Sequence, residues 1–160
     1  ALHSFPTRRS SDLICSAAAK GGHLEVLKWA REKGCQWTAD TCTRAAEGGH
    51  LETLKWAKEN GCQWTEDTAA FAALRGHLEV LKWAREKGCP WGANTCASAA
   101  EGGQLQVLQW LRANGCAWAQ STTTRAELRG HYEVLKWARD NGCEYVDGSN
   151  PINWITYAEK

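Results

Sequence analysis

The 160-residue chain contains no methionine and has only three prolines and two phenylalanines. Because an initiator methionine is missing, we expect the sequence to be a fragment of a longer protein. No apolar run reaches the roughly 18–20 residues that a membrane-spanning helix needs, and the N-terminal region lacks the apolar centre of a signal peptide. The 19 basic and 18 acidic side chains nearly cancel, which argues against a strongly basic nucleic-acid-binding protein and against an acidic tail.

Ten tryptophans and eight cysteines dominate the remaining composition, and an internal repeat explains both. Tryptophan recurs every 27 residues, as from Trp29 to Trp56, and cysteine, a second aromatic and histidine recur in step. Because four rows keep one period over five copies, most Trp and Cys residues occupy repeated structural positions. The rows are Trp29, Trp56, Trp83, Trp110 and Trp137; Cys35, Cys62, Cys89, Cys116 and Cys143; Trp37, Trp64, Trp91, Trp118 and Tyr145; and His23, His50, His77, Gln104 and His131.

Each copy has the pattern of two short helices. In residues 40–66 a first helix is predicted to begin at Asp40, a good N-cap, and to end at Gly48-Gly49. Small and apolar residues spaced three and four apart give this helix one buried face. A second helix is predicted from about Leu51 to Asn60, where the following glycine stops it. The residues equivalent to Asp40 in the later copies are Asp67, Asn94 and Ser121.

A helix pair of this size cannot bury its apolar face alone, whereas stacked pairs can. The sequence therefore predicts an all-α fold, a helical-repeat solenoid of stacked antiparallel helix pairs. We expect the indoles to be buried between the pairs, since each can remove about 150–250 Å² from water. The five predicted repeats are residues 14–39, 40–66, 67–93, 94–120 and 121–147.

The segment Ala45 to Glu52, AAEGGHLE, resembles the AAxxGHLE segment of the ankyrin repeat. The distance from Gly49 to Cys62 resembles that family's GH-to-GA spacing, and residues 40–43 stand in the place of its TPLH segment. The repeat here has 27 residues instead of 33, and the shortening follows Cys62, where the family carries a β-hairpin finger. The resemblance covers roughly residues 14–147 and implies an ankyrin-like stack with short loops. It implies nothing about the identity of a partner.

The two ends of the chain depart from the repeat. Residues 3–13, HSFPTRRSSDL, resemble the translation of a sequencing adaptor, so residues 1–13 are interpreted as a non-native or disordered leader. The alternative is a natural Ser/Arg-rich leader. Residues 148–160 are predicted to be a partial sixth repeat or a capping helix that begins near Asn150-Pro151.

The sequence contains no pattern that points to catalysis, a cofactor or a metal. No CxxC pair with zinc-ligand spacing occurs, and buried free cysteine behaves as a small apolar residue. Equivalent histidines lie one repeat apart, ~10 Å if the helices stack normally, which is too far for joint ligation, so we expect each ring to hydrogen-bond a neighbouring turn. Phosphate-binding, nucleophile and metalloprotease motifs are also missing. We therefore predict a non-enzyme with no cofactor, and free thiols that suit a reducing cytoplasmic or nuclear compartment.

The most informative positions are those that vary while the framework repeats. Three positions near the end of the first helix form one face, and the resemblance implies that part of this face lies on a concave binding surface. We predict a monomeric scaffold that presents this helix-one face to a protein partner, because exposed Leu, Phe and Arg suit protein interfaces. The candidate contact residues are Arg44, Glu47, Phe71, Leu74, Arg75, Ser98, Glu101, Arg125, Leu128 and Arg129.

Three alternatives remain open from the residues. Leu74 and Leu128 could simply pack on adjacent turns. The arginines of the helix-one face could contact nucleic-acid phosphates, although a net charge near zero disfavours counterion-driven binding. The cysteines could form a metal-binding or redox array.

Overall fold

The structure, a computed structural model, describes the backbone of residues 8–144 and the side chains of residues 12–144. The regular secondary structure of this part of the chain consists of helices alone, with no strand, so the all-α prediction is confirmed. Its ten helices are α1 (Arg8–Lys20), α2 (Leu24–Glu32), α3 (Ala39–Glu47), α4 (Leu51–Glu59), α5 (Glu66–Arg75), α6 (Leu78–Glu86), α7 (Ala93–Glu101), α8 (Leu105–Ala113), α9 (Ser121–Leu128) and α10 (Tyr132–Asp140).

The helices contact one another in chain order. Each odd-numbered helix packs against the even-numbered helix that follows it and against the next odd-numbered helix. Helices α1, α3, α5, α7 and α9 therefore form a continuous row of neighbours. Residues from successive repeats come together along this row although they are distant in sequence.

The predicted N-caps of the first helices are two residues late in repeats two to four and one residue late in repeat five. Helix α3 begins at Ala39, whereas the sequence pattern favoured Asp40 as its N-cap. In α5 the hydroxyl of Thr68 accepts a hydrogen bond from the backbone N–H of Thr65, at 3.2 Å, and so caps the helix from within. Thr95 does the same for the N–H of Gly92 at 3.4 Å. The threonine, and not the aspartate or asparagine before it, therefore caps the beginning of these two helices.

The core consists of leucine, alanine and cysteine more than of tryptophan. One leucine in each second helix is almost fully buried, whereas the tryptophans of residues 12–144 are partly buried, and Trp29 is 50% exposed. The prediction that the indoles are interior packing between repeats is wrong in this respect. The buried leucines are Leu27, Leu54, Leu81, Leu108 and Leu135.

The tryptophans form pairs that join neighbouring repeats near their loops. Trp37 meets Trp56 of the next repeat edge to face, with ring centroids 5.6 Å apart, and its Nε1–H donates to the carbonyl oxygen of Asn60 at 2.7 Å. A cation covers the ring of the first tryptophan in each pair, as Arg31 covers Trp37 at 4.9 Å. The equivalent pairs are Trp64–Trp83, Trp91–Trp110 and Trp118–Trp137.

For one ring of the histidine row, that of His77, the structure records the predicted hydrogen bond to the backbone of a neighbouring repeat, at the last residue of α3. Nε2–H of His77 donates to the carbonyl oxygen of Glu47 in the preceding repeat, at 2.9 Å. A Cβ on Gly49 would lie 2.5 Å from Nδ1 of His77, and Gly49 has a φ of +75°. Glycine is therefore required at this position by both the ring contact and the backbone conformation.

The predicted ends of the repeat region differ in how far the structure describes them. Helix α1 begins at Arg8 and thus runs across the boundary that the sequence placed between residues 13 and 14. The predicted partial sixth repeat, residues 148–160, lies outside the described residues, as does Tyr145. Among the helices of residues 8–144, none has the length and apolar character that membrane crossing requires.

Two glycines allow successive odd-numbered helices to approach closely. A Cβ on Gly102 would lie 1.9 Å from the carbonyl oxygen of Leu74, and a Cβ on Gly48 would lie 2.3 Å from that of Lys20. Both positions have ordinary right-handed backbone angles. The requirement for glycine there is consequently one of space and not of conformation.

Replacing Gly102 with alanine should lower the free energy of unfolding by about 1–3 kcal/mol, because the backbone of α5 or α7 must shift to admit the methyl group. Urea unfolding followed by tryptophan fluorescence measures the change. Gly92→Ala is the matched control, since a Cβ there would meet only the flexible carboxylate of Glu66, at 3.2 Å. Equal unfolding midpoints for the two variants would contradict the close approach.

Candidate functional site

Two successive positions at the C-terminal end of the first helix alternate between two residue pairs along the chain. Repeats two and four carry glutamate followed by glycine, and repeats three and five carry leucine followed by arginine. Each arginine therefore follows a repeat that offers a glutamate. The pairs are Glu47-Gly48, Leu74-Arg75, Glu101-Gly102 and Leu128-Arg129.

Glu47 is the centre of a charge cluster that spans three repeats. Its carboxylate, with a side chain only 3% exposed, accepts hydrogen bonds from Lys20 Nζ at 3.0 Å, Arg44 Nη1 at 2.9 Å and Arg75 Nη2 at 3.1 Å. Burial by itself would raise the pKa of Glu47, but these three donors outweigh it and lower the pKa to about 2. The hydrogen bond between Arg44 and Glu47 in turn raises the pKa of the Arg44 guanidinium. Glu47 is thus held ionised by its neighbours.

Glu101 forms a second, more open cluster. Arg129 Nη2 donates to its carboxylate at 2.9 Å and Arg125 Nη1 donates at 3.2 Å. The hydrogen bond from Arg129 is the main reason that the pKa of Glu101 lies below its usual value. Leu74 lies one repeat before Glu101, as Lys20 lies one repeat before Glu47. In the second cluster the preceding repeat therefore contributes an apolar side chain instead of a cation. As a result, the Glu101 carboxylate stays partly exposed.

A groove of about 540 Å³ lies over Gly102. Arg75 and Arg129 line this groove together with Gly102, and their side chains are 55% and 60% exposed. A second recess of about 300 Å³ adjoins it and includes Leu128, which is 79% exposed. The groove is lined by Leu74, Arg75, Glu101, Gly102, Gln104 and Arg129, and the recess by Glu101, Arg125, Leu128 and Arg129.

Two of the predicted contact residues are buried. Glu47 is drawn inward by its three cations, and Ser98 has a short side chain on α7, which packs between α5 and α9. Neither can make the direct partner contact that the sequence predicted. Arg44 and Phe71 are half-buried on the same row of helices, outside the groove.

The two leucines, for which packing on an adjacent turn was the alternative, differ in their surroundings. Leu128 is exposed, so it does not pack on an adjacent turn, whereas Leu74 is half-buried and lines the groove. Sequence reasoning missed Lys20 as part of this region. Lys20 lies one period before Glu47, so the repeat phase already contained the signal.

The cysteines are not all free thiols. Cys15 and Cys35 form a disulfide, which corrects the prediction for these two residues. The remaining six cysteines are free and buried. Within residues 8–144, no group of three or more His, Cys, Asp or Glu side chains is arranged to hold a metal ion.

Comparison with protein-family models gives no match, and comparison with curated proteins gives no similar sequence. The geometry of the groove is therefore the basis on which a function is assigned.

The Glu47 cluster predicts how stability depends on pH. Since the folded pKa of about 2 is below the ordinary value of 4.5, the stabilisation is complete above pH 4.5 and is lost as the pH falls towards 2. The linked free energy is about 3 kcal/mol. Glu47→Gln should lower the stability by about 2–4 kcal/mol at pH 7 and should make the loss between pH 4.5 and 2 shallower, as followed by urea unfolding.

The control for this prediction is Glu52→Gln, which removes an exposed carboxylate that pairs with Lys55 at 2.7 Å. Its stability should remain close to that of the parent protein, because exposed pairs contribute little. If the two glutamate variants had the same unfolding midpoint at pH 7, the buried cluster would not stabilise the fold.

Proposed function

We propose that this chain is a non-catalytic protein-interaction module, an ankyrin-like stack of short repeats, that binds an acidic segment of a protein partner on its helix-one face. The observation that carries this proposal is the groove over Gly102, in which two exposed arginines flank an opening beside an exposed leucine. Rigid presentation of this surface by the row of odd-numbered helices is the mechanism.

The charges around the groove favour an acidic ligand. Arg75, Arg125 and Arg129 face one partly exposed carboxylate, that of Glu101. Arg75 also pairs with Glu47, but that carboxylate already accepts bonds from two other cations. A guanidinium has five N–H donors, so an incoming carboxylate can be bound by arginine groups that one glutamate does not saturate. Such charge-assisted bonds are often bidentate and set the position of the ligand.

The apolar residues favour a segment in which an acidic residue lies beside an apolar one. Leu128 is exposed in the recess that adjoins the groove, and Leu74 lines the groove itself. A ligand side chain that covers Leu128 would remove apolar surface from water next to the arginine contacts. The combination of arginine with a desolvated apolar contact is typical of residues that dominate binding energy at protein interfaces.

Nucleic acid fits this surface less well. The net charge of the chain is +1, which gives little counterion-driven attraction for phosphates. Four tryptophan rings, those of Trp37, Trp64, Trp91 and Trp118, are covered by cations and so are not open platforms for base stacking. A protein partner is therefore the better match.

The test uses fluorescently labelled synthetic peptides that alternate glutamate or aspartate with leucine, and measures binding by fluorescence anisotropy. A variant that combines Leu74→Ala, Arg75→Gln, Leu128→Ala and Arg129→Gln should bind at least about tenfold more weakly, a loss of about 1.4 kcal/mol. The control variant combines Lys55→Gln and Lys82→Gln, which lie on the outer face of the second helices and pair only with exposed glutamates in the structure. It should bind like the parent protein.

Equal binding by the parent protein and the fourfold variant, with circular dichroism showing both folded, would reject this face as the binding site. No binding of acidic peptides by the parent protein would reject an acidic partner. Preferential, salt-dependent binding of a mixed-sequence oligonucleotide would favour the nucleic-acid alternative instead.

A further inference from the structure

Three cysteine pairs occupy the same place in three repeats. In each pair one cysteine lies on an odd-numbered helix and the other lies 20 residues later, just after the glycine that follows the next helix. In the first repeat these two cysteines form a disulfide. In the second and fourth repeats both cysteines are free and buried, and each affects the pKa of the other. In the fourth repeat the Sγ–H of Cys96 also donates to the carbonyl oxygen of Cys116, at 3.9 Å. The pairs are Cys15–Cys35, Cys42–Cys62 and Cys96–Cys116.

The two members of a pair differ in how easily solvent can reach them. Cys42 lies inside α3 and is fully buried. Cys62 is equally buried but lies in the loop after α4, between the exposed residues Gly61 and Gln63. A small opening of this loop therefore exposes the sulfur of Cys62 while Cys42 stays in its helix.

The interaction between the two thiols of a pair also distinguishes them electrostatically. Interaction with Cys42 lowers the pKa of Cys62, and the same interaction together with burial raises the pKa of Cys42. Cys116 and Cys96 differ in the same way. Because the thiolate is the nucleophile, the loop cysteine is the one that reacts first.

We propose that Cys42–Cys62 and Cys96–Cys116 are covalent modification sites that a small-molecule disulfide, such as oxidised glutathione, converts to intrachain disulfides. The thiolate of the loop cysteine attacks one sulfur of the small disulfide, forms a mixed disulfide and releases one small thiolate. The helix cysteine then loses its proton and attacks the loop-cysteine sulfur, which breaks the mixed bond and releases the second small thiolate. Two protein thiols are oxidised, and one small disulfide is reduced to two thiols that take up the two protons.

The product would join the odd-numbered and even-numbered helices of one repeat. Each new bond closes a loop between residues 20 positions apart, which restricts the unfolded chain and stabilises the folded one. Oxidation should therefore shift the urea unfolding midpoint upward.

The chain contains its own comparison sites. Cys89 and Cys143 occupy the loop position in repeats three and five, but Ala69 and Thr123 replace the helix cysteine. Burial raises the pKa of Cys89 to about 11, and burial also raises the pKa of Cys143. These two thiols should react more slowly and cannot proceed beyond a mixed disulfide within their own repeats.

The experiment incubates the reduced full chain with oxidised glutathione under native conditions, blocks the remaining thiols by alkylation and maps the products by peptide mass spectrometry. We expect a loss of two hydrogens and a cross-linked peptide for each of the two pairs. Cys89 and Cys143 should be recovered alkylated or as glutathione adducts.

Two variants make the test specific to geometry. Cys42→Ala copies the natural arrangement of repeat three, so it should remain folded and should lose only the link to Cys62. Ala69→Cys should create a new pair and yield a link to Cys89. Circular dichroism before oxidation confirms that each variant is folded.

Absence of links at both native pairs in the folded protein would overturn the proposal, and a link at only one pair would overturn it for the other. Links between cysteines of different repeats, at a frequency similar to the links within repeats, would also overturn it. Failure of the folded Ala69→Cys variant to link, while Cys42–Cys62 forms, would show that the repeat position does not determine pairing.

Discussion

The close contact between successive odd-numbered helices is the constraint on which the other features depend. It brings a carbonyl oxygen so near to Gly48 and Gly102 that no side chain fits there. The same row places the ring of His77 on the turn of the preceding repeat, where its Nε2–H donates to Glu47. Each odd-numbered helix packs both against the even-numbered helix that follows it and against the next odd-numbered helix, so each repeat depends on contacts with its neighbours as well as on its own.

The alternation of glycine and arginine shows how packing and a binding surface can arise from the same positions. Glycine permits the close approach of successive odd-numbered helices, while the arginine of the next repeat donates to the glutamate that precedes that glycine. In the first cluster Lys20 donates a further hydrogen bond to the Glu47 carboxylate, which is buried. In the second cluster a leucine takes the place of that lysine, and the site stays open. A single difference in one repeated position thus separates a structural ion cluster from an accessible groove.

The repeated aromatic and cysteine positions have roles other than filling the interior. The indoles meet in edge-to-face pairs under cations near the loops, and the leucines of the second helices are the large buried side chains. Cysteine at the loop position is buried in all five repeats, but only in three does the odd-numbered helix supply a second sulfur. The chemistry of that thiol depends on a residue 20 positions earlier and not on its own repeat position.

The 27-residue period, the two helices per copy and the all-helical fold could be read directly from the residues, because helical periodicity and glycine stops are local properties of the chain. Of the predicted contact residues, the exposed leucine and the groove arginines lie on one face, as expected from their spacing. Burial of Glu47 and Ser98, the capping role of Thr68 and the contact between Cys42 and Cys62 could not be predicted in this way. Only the tertiary structure decided them, because each depends on competition among hydrogen bonds and on atoms that folding brings together from elsewhere in the same repeat or from the repeats on either side.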